Sequence, residues 1–367
     1  MGGFRWDPRA FTLAKARFGE LADQGAEYLY PMVRENLVEW KAGGLLDLLV
    51  VHHKSLAKEV AVSAGCTPAM LRKINQNLTD VAGLYTNSDN AAAEDISKTW
   101  DTMGYELPSS GDPDLERSGG MAYDFGSGYP PSMQPSAGDF RIEDVVDTIL
   151  GLPKSVVIPD PSFKNPALQS IWDGVFGSWL EICGFATEAL TGDWKGVYQA
   201  GDAMSNAGDY WQGLSALSRR CAGTLFWHWD GDASEFAERS VTKICDVYED
   251  AGETIAHCGE DYKTHAHGCY LLFTEINGIL TAIPNDMILL FELLDRADAK
   301  SVPTPSPDLL AAMAGIHRLV KILLKGFKEA TEKLLKVAQV IEAIVGVVLS
   351  ACTLFTNYSN DMRGALT

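Results

Sequence analysis

Trp229-Asp230-Gly231-Asp232-Ala233-Ser234-Glu235-Phe236 interrupts a long run of helical periodicity. Upstream, apolar residues recur at Val197, Ala200, Met204, Tyr210, Leu214, Leu217 and Leu225; downstream they recur at Phe236, Ile244, Val247, Ile255, Cys258, Tyr262, Cys269, Leu272, Ile276 and Leu280. Such spacing predicts an amphipathic helix on each side. The interruption itself suits a tight link between two antiparallel helices. Gly231 supplies backbone freedom for the turn, Asp232 can cap the following helix, and Trp229 and Phe236 can seal the open end.

Working outward, Asp193 is placed to cap the helix that begins at Trp194. An earlier helical stretch through Leu168, Ile171, Val175, Trp179, Ile182 and Phe185 ends near Thr191-Gly192. Asp7-Pro8 is a helix start with Asp as N-cap and Pro at the first helical position, followed by Phe11, Leu13, Phe18 and Leu21. A further helical stretch runs through Val33, Leu37, Trp40, Leu45, Leu48, His52 and Leu56. Thr67-Pro68 repeats the start signal and opens a segment carrying Leu71, Ile74, Leu78, Val81 and Tyr85, which predicts a hairpin with its turn near Ala64-Gly65-Cys66. Gly104 to about Asn165 is rich in Gly, Pro, Ser and Asp and reads as a flexible linker, with one short helix around Ile142 to Leu150. Pro284 is expected to kink or end the long helix that follows Phe236, and an amphipathic region runs from Leu309 to Phe355 beyond Val302-Pro303-Thr304-Pro305-Ser306-Pro307. No segment has a period of two, so the expected fold is all-α: an elongated bundle of long antiparallel helices. Its parts are a hairpin (1–103), a linker (104–165), a second helical domain (166–300) and C-terminal amphipathic helices (301–367).

With 49 acidic against 30 basic residues among 367, the net charge of −19 repels phosphate backbones and argues against nucleic acid as a partner. The start Met1-Gly2-Gly3-Phe4-Arg5-Trp6-Asp7-Pro8 lacks a basic patch followed by an apolar run, so Sec-type export is not expected. Val337 to Phe355 is long enough to span a bilayer, but Gln339, Glu342, Ser350 and Thr353 fit a buried helix better. Seven scattered cysteines read as small buried thiols and imply folding in a reducing cytoplasm.

Neither catalysis nor a bound metal or cofactor is expected. Cys258, His265 and Cys269, with His257 and His267 nearby, could share a helical face, yet they read as a core stripe flanked by solvated histidines because no second ligand pair has Cys-x-x-Cys spacing. Asp230, Asp232 and Glu235 have no nucleophile or phosphate loop beside them, and Gly126-Ser127-Gly128 lacks a strand and helix context. The tail is locally basic, with His317, Arg318, Lys321, Lys325, Lys328, Lys333 and Lys336 among its apolar residues. Such a helix is expected to pack on the acidic bundle. It can also lie on anionic lipid, with Lys321, Lys325 and Lys328 as the contacts.

Two motifs carry a resemblance. Tyr85-Thr86-Asn87-Ser88-Asp89 puts an aromatic and a carboxylate one helical turn apart. Trp-x-Gly occurs at Trp172, Trp194, Trp211 and Trp229, and the last copy stands out because it lies at the break in periodicity and is followed by Ala233 and Phe236. The second helical region resembles the WxG superfamily of actinobacterial secreted proteins, including the Thr191-Gly192-Asp193-Trp194 start that precedes the hairpin in longer members. The first region resembles EspC-like and PE-like hairpins, in which Tyr-x-x-x-Asp follows the second helix's apolar stripe. A chain with both, over residues 8–102 and 168–297, resembles the EspB-like fusions of a PE-like and a PPE-like part among type VII (ESX) secretion substrates. The resemblance implies a non-enzymatic secreted protein. Tyr85, Asp89, Trp229 and Gly231 would form a composite export signal at one bundle tip, read by an FtsK/SpoIIIE-type ATPase. A helper chaperone, homo-oligomers and lipid contact outside the cell are further expectations. The rival reading is a membrane-active effector or toxin carrier that inserts its C-terminal hydrophobic helices.

Overall fold

A computed structural model describes residues 5–37, 43–87, 162–300 and 307–366. The described chain is a bundle of long helices packed against one another, so the all-α reading holds. In chain order the elements are β1 (Arg5–Trp6), α1 (Pro8–Gln24), a π-helical turn (Gly25–Leu29), α2 (Tyr30–Asn36), a 3-10 turn (Gly44–Leu46) and α3 (Asp47–Asn87). They continue with α4 (Pro166–Leu190), α5 (Trp194–Trp227), β2 (Trp229–Asp230), α6 (Asp232–Ala299) and α7 (Pro307–Leu366). The strand pairing among the described residues is one two-residue antiparallel ladder, pairing Arg5 with Asp230 and Trp6 with Trp229. Strands that short leave no periodicity to read.

Both cap readings at Asp7 and Asp193 are realised. Asp7 accepts from the Arg9 amide at 2.8 Å with Pro8 at the first helical position, and Asp193 accepts from the Gly196 amide at 2.8 Å. The turn of the first hairpin is elsewhere than the sequence suggested. Of the stretch from Val33 to Leu56, α2 ends at Asn36 and α3 begins at Asp47, and α3 then runs unbroken for 41 residues through Ala64-Gly65-Cys66 and Pro68. The linker lies almost wholly outside the described residues.

Beside Pro68, which lies inside α3, Thr67 is held from two other helices. The Thr67 carbonyl accepts from the Tyr248 hydroxyl at 3.2 Å, and the Thr67 hydroxyl donates to the Ser63 carbonyl while accepting from the Trp211 indole at 3.0 Å. Opposite it, the π-helical turn brings Gly25 within 3.8 Å, measured from an added Cβ, of the Pro68 ring. The helix continues through the proline where α5 and α6 pack on it, so tertiary context prevails over local propensity. Pro284 likewise lies within α6, which continues to Ala299.

The α5–α6 pair packs main chain against main chain. Gly201, Gly208 and Ser215 recur every seven residues along α5, facing Gly259, Gly252 and Cys245 on α6. A Cβ on Gly208 would meet the Gly252 carbonyl oxygen at 2.6 Å, and one on Gly201 would meet the Gly259 carbonyl oxygen at 2.7 Å. The backbones therefore touch, and only glycine fits at those levels. One turn pair further, the Ser215 hydroxyl donates to the Cys245 carbonyl at 2.8 Å.

The tail is one 60-residue helix rather than several. Leu323, Ala330, Leu334, Val337, Ile341, Ile344, Val348 and Phe355 of α7 are buried against its neighbours, chiefly α6 and α3, as the packed reading of this region expects. Start and end of the second region are tied together: Asp298, near the end of α6, accepts from the amides of Lys164 and Asn165, both at 2.8 Å, just before α4.

Candidate interaction site at the bundle tip

The α5–α6 turn forms as the glycine reading requires, but with a different cap. His228 ends α5, Trp229 and Asp230 are extended, and Gly231 is itself the N-cap of α6 with φ at 122°, a conformation that side-chain-bearing residues rarely adopt. Asp232 is therefore inside the first turn of α6, beside Glu235, where both carboxylates favour the helix N-terminus through its dipole rather than by capping. The turn is pinned by Ser234, whose hydroxyl donates to the Trp229 carbonyl at 2.6 Å and whose amide donates to the Gly231 carbonyl at 2.9 Å.

Trp229 is 1% exposed. Its indole N–H donates to the Tyr85 hydroxyl at 3.1 Å, bridging positions 144 residues apart. The two rings meet edge to face at 6.1 Å, Phe11 lies edge-on to Trp229 at 4.9 Å, and Phe226 stacks beside it at 5.8 Å. Burial raises the Tyr85 phenol above its usual range, opposed by the Trp229 hydrogen bond. Tyr85 therefore stays a neutral hydroxyl at physiological pH. Edge-to-face pairs of this kind are each worth about 1 kcal/mol beyond their burial.

Of the residues expected at this tip, Tyr85, Trp229 and Gly231 come together, and Asp89 lies outside the described residues. The other Trp-x-Gly copies are core positions within helices. Trp172 packs on Phe291, Trp194 donates to the Leu190 carbonyl at 3.0 Å, and Trp211 holds Thr67. Sequence reasoning missed Trp6, whose ring lies 5.3 Å from Tyr85 and 5.7 Å from Phe11. The signal was present, because Trp6 precedes the N-cap Asp7 and Phe11 is the fourth helical residue, the spacing of a hydrophobic staple.

Elsewhere, Cys258 and Cys269 are buried core thiols pushed up to about 12 by desolvation, which disfavours the thiolate that binds metal. His265 donates from Nδ1 to the Asp261 carbonyl at 2.6 Å. Among the described residues no group of three or more His, Cys, Asp or Glu is arranged to hold a metal ion. All seven cysteines are free thiols. Lys321, Lys325 and Lys328 point outward from α7, where Lys325 pairs with Glu329 at 3.5 Å and Lys328 with Glu332 at 3.7 Å. Leu310, Leu324, Leu335 and Leu349 are exposed on the same helix. By length and composition, α6 and α7 each contain a window apolar enough to cross a membrane.

No family model, curated protein or solved structure matches the chain.

Proposed function

We propose that this is a non-enzymatic protein exported by a type VII (ESX-like) secretion system, with the bundle tip as its address. The observation that carries the proposal is the hydrogen bond from the Trp229 indole to the Tyr85 hydroxyl. One residue from each of two motifs that resemble export signals of separate partner proteins, Tyr85 and Trp229, meets the other here. In this reading Tyr85 and Asp89, with Trp229 and the turn at Gly231, are recognised by the secretion ATPase, with or without a helper chaperone. The protein folds in the cytoplasm, consistent with its free thiols, and acts outside as a structural or interaction protein that self-associates and contacts anionic lipid through Lys321, Lys325 and Lys328. The test is to express the wild type, Tyr85→Ala and Trp229→Ala in a host with an intact type VII system and to compare culture filtrate with lysate. Wild type in the filtrate, with both variants retained at normal abundance, supports the reading. Equal distribution of all three overturns it.

A second reading has its own observation: the apolar windows of α6 and α7 are only 33% and 28% buried. On that reading the protein is a membrane-active effector that inserts these helices. Dye release from anionic vesicles that depends on residues 309–355 supports it, and intact vesicles at saturating protein exclude it.

A further inference from the structure

The export reading leaves a difficulty at the tip: the Trp229 side chain is 1% exposed, so a partner cannot grip it in this conformation. Part of what hides it is a short segment outside the helices. Trp6 pairs with Trp229 in the β1–β2 ladder and lays its ring at 33° over Tyr85, while Arg5 pairs with Asp230. Among the described residues this outer layer is the two-residue β1 alone, and Trp6 is only half-buried.

What lies beneath also has supports of its own. The start of α1 is fixed by Asp7, which accepts from the Arg9 amide, and by Pro8, so β1 can swing about Asp7 while the helix keeps its cap. On the other side, Ser234 holds the Trp229 carbonyl and the Gly231 turn keeps its own hydrogen bonds. Phe11 and Phe226 continue to support the indole from within the bundle. Among the described residues, opening breaks a two-residue ladder and the Trp6 ring contacts with Tyr85 and Phe11, a local event separable from global unfolding.

We propose that residues 5–6 are a displaceable strap that closes over the Tyr85–Trp229 pair, and that the export partner gains the signal by displacing Trp6 from the Tyr85 ring. The inference rests on the export reading. It adds regulation of that site: the chain is held in a low-affinity state until the strap opens. A site accessible only in a minor conformation binds more weakly in proportion to that conformation's population, so removing the cover raises apparent affinity.

The test compares full-length wild type, Trp6→Ala, Trp6→Phe and Tyr85→Ala by two readouts: amide hydrogen exchange across residues 227–236, and the filtrate-to-lysate ratio under conditions where part of the wild type is retained. The strap predicts that Trp6→Ala speeds exchange at Trp229 and Asp230 by about tenfold while the interior of α5 and α6 keeps its protection. It also predicts that the exported ratio rises by about threefold or more. Trp6→Phe, which keeps a covering ring, stays close to wild type in both. Unchanged exchange in Trp6→Ala overturns the strap, because Trp6 then covers nothing. Faster exchange without a gain in export, while Tyr85→Ala is retained in cells, overturns the strap and leaves the export reading standing. Tyr85→Ala exported like wild type removes both.

Discussion

Helix α6 presents two faces that are specified in opposite ways. Toward α5 it offers Gly252 and Gly259 to Gly208 and Gly201, so main chain meets main chain and the register is fixed by the absence of side chains. Toward α7 it offers long aliphatic residues, and the interface opens into shallow grooves. One of about 610 Å³ is lined by Ile279, Ile283, Leu323 and Gly326 among others; another of about 520 Å³ is lined by Cys258, Ala343, Gly346 and Leu354 among others. The α5 face has no room to adjust. The α7 face has space beside it and can relax. A single helix can thus be the rigid half of one pair and the adaptable half of another, according to residue size at seven-residue spacing.

The largest effect is expected where there is least room. Gly208→Val puts two methyl groups where the Gly252 carbonyl and the Ala256 Cβ would each lie 2.6 Å from a Cβ, and neither is the end of a flexible side chain. Denaturant unfolding of this variant should show a loss of about 4 kcal/mol, at the upper end for overpacked sites. A loss under about 1 kcal/mol would mean that the backbones are not in contact there.

On the other face, Leu323→Ala removes a buried side chain beside a groove into which its neighbours can move. The expected cost by the same method is about 2.5 kcal/mol, near the low end for a buried leucine. A cost matching Gly208→Val would erase the difference between the faces.

Acid tests a third contact of α6, made by the first hairpin. His53 is fully buried between the Leu37 carbonyl, 2.6 Å from Nε2, and the Tyr262 hydroxyl, 3.1 Å from Nδ1. A carbonyl only accepts, so Nε2 carries the proton and Nδ1 accepts from Tyr262. Burial lowers the His53 pKa to about 4, opposed by the Leu37 hydrogen bond. As pH falls through 6.5 the unfolded chain takes up the proton before the folded one, so stability decreases until about pH 4 and this group costs nothing further below it. Between pH 7 and pH 5 His53 should account for about 2 kcal/mol of lost stability. Chemical denaturation at the two pH values should show a smaller loss in His53→Gln, and an unchanged loss would remove His53 as its source.

The smallest effect has the opposite sign. A Cβ on Gly326 would lie 3.7 Å from Ile283, an ordinary contact, so Gly326→Ala should stabilise α7 by about 0.7 kcal/mol through helix propensity. Destabilisation in a melting experiment would show that the α7 face is as closely fitted as the α5 face.

Much of this architecture was legible because helix signals are local. Asp7-Pro8 and Asp193 announce their helices, and Gly231 announces the turn. Pro68 reads as a helix start for the complementary reason: the residues packed around it, Trp211 and Tyr248 on Thr67 among them, are far away in sequence. The seven-residue recurrence of Gly201, Gly208 and Ser215 was readable, yet apolar periodicity draws attention to large residues and passes over small ones. At the tip, nothing in periodicity pairs Tyr85 with Trp229; that expectation came from resemblance, and Trp6 went unnoticed although its staple spacing to Phe11 was plain.

In the export reading the Tyr85–Trp229 tip is recognised, and is not simply a well-packed end of the bundle. The deciding measurement compares the filtrate-to-lysate ratio of Tyr85→Ala with that of Leu323→Ala, a destabilised core variant remote from the tip. Recognition predicts that Tyr85→Ala loses at least about tenfold in exported fraction, equivalent to one lost interaction of about 1.4 kcal/mol, while Leu323→Ala exports like wild type. An equal fall in both variants would contradict the claim and make the tip a matter of stability alone.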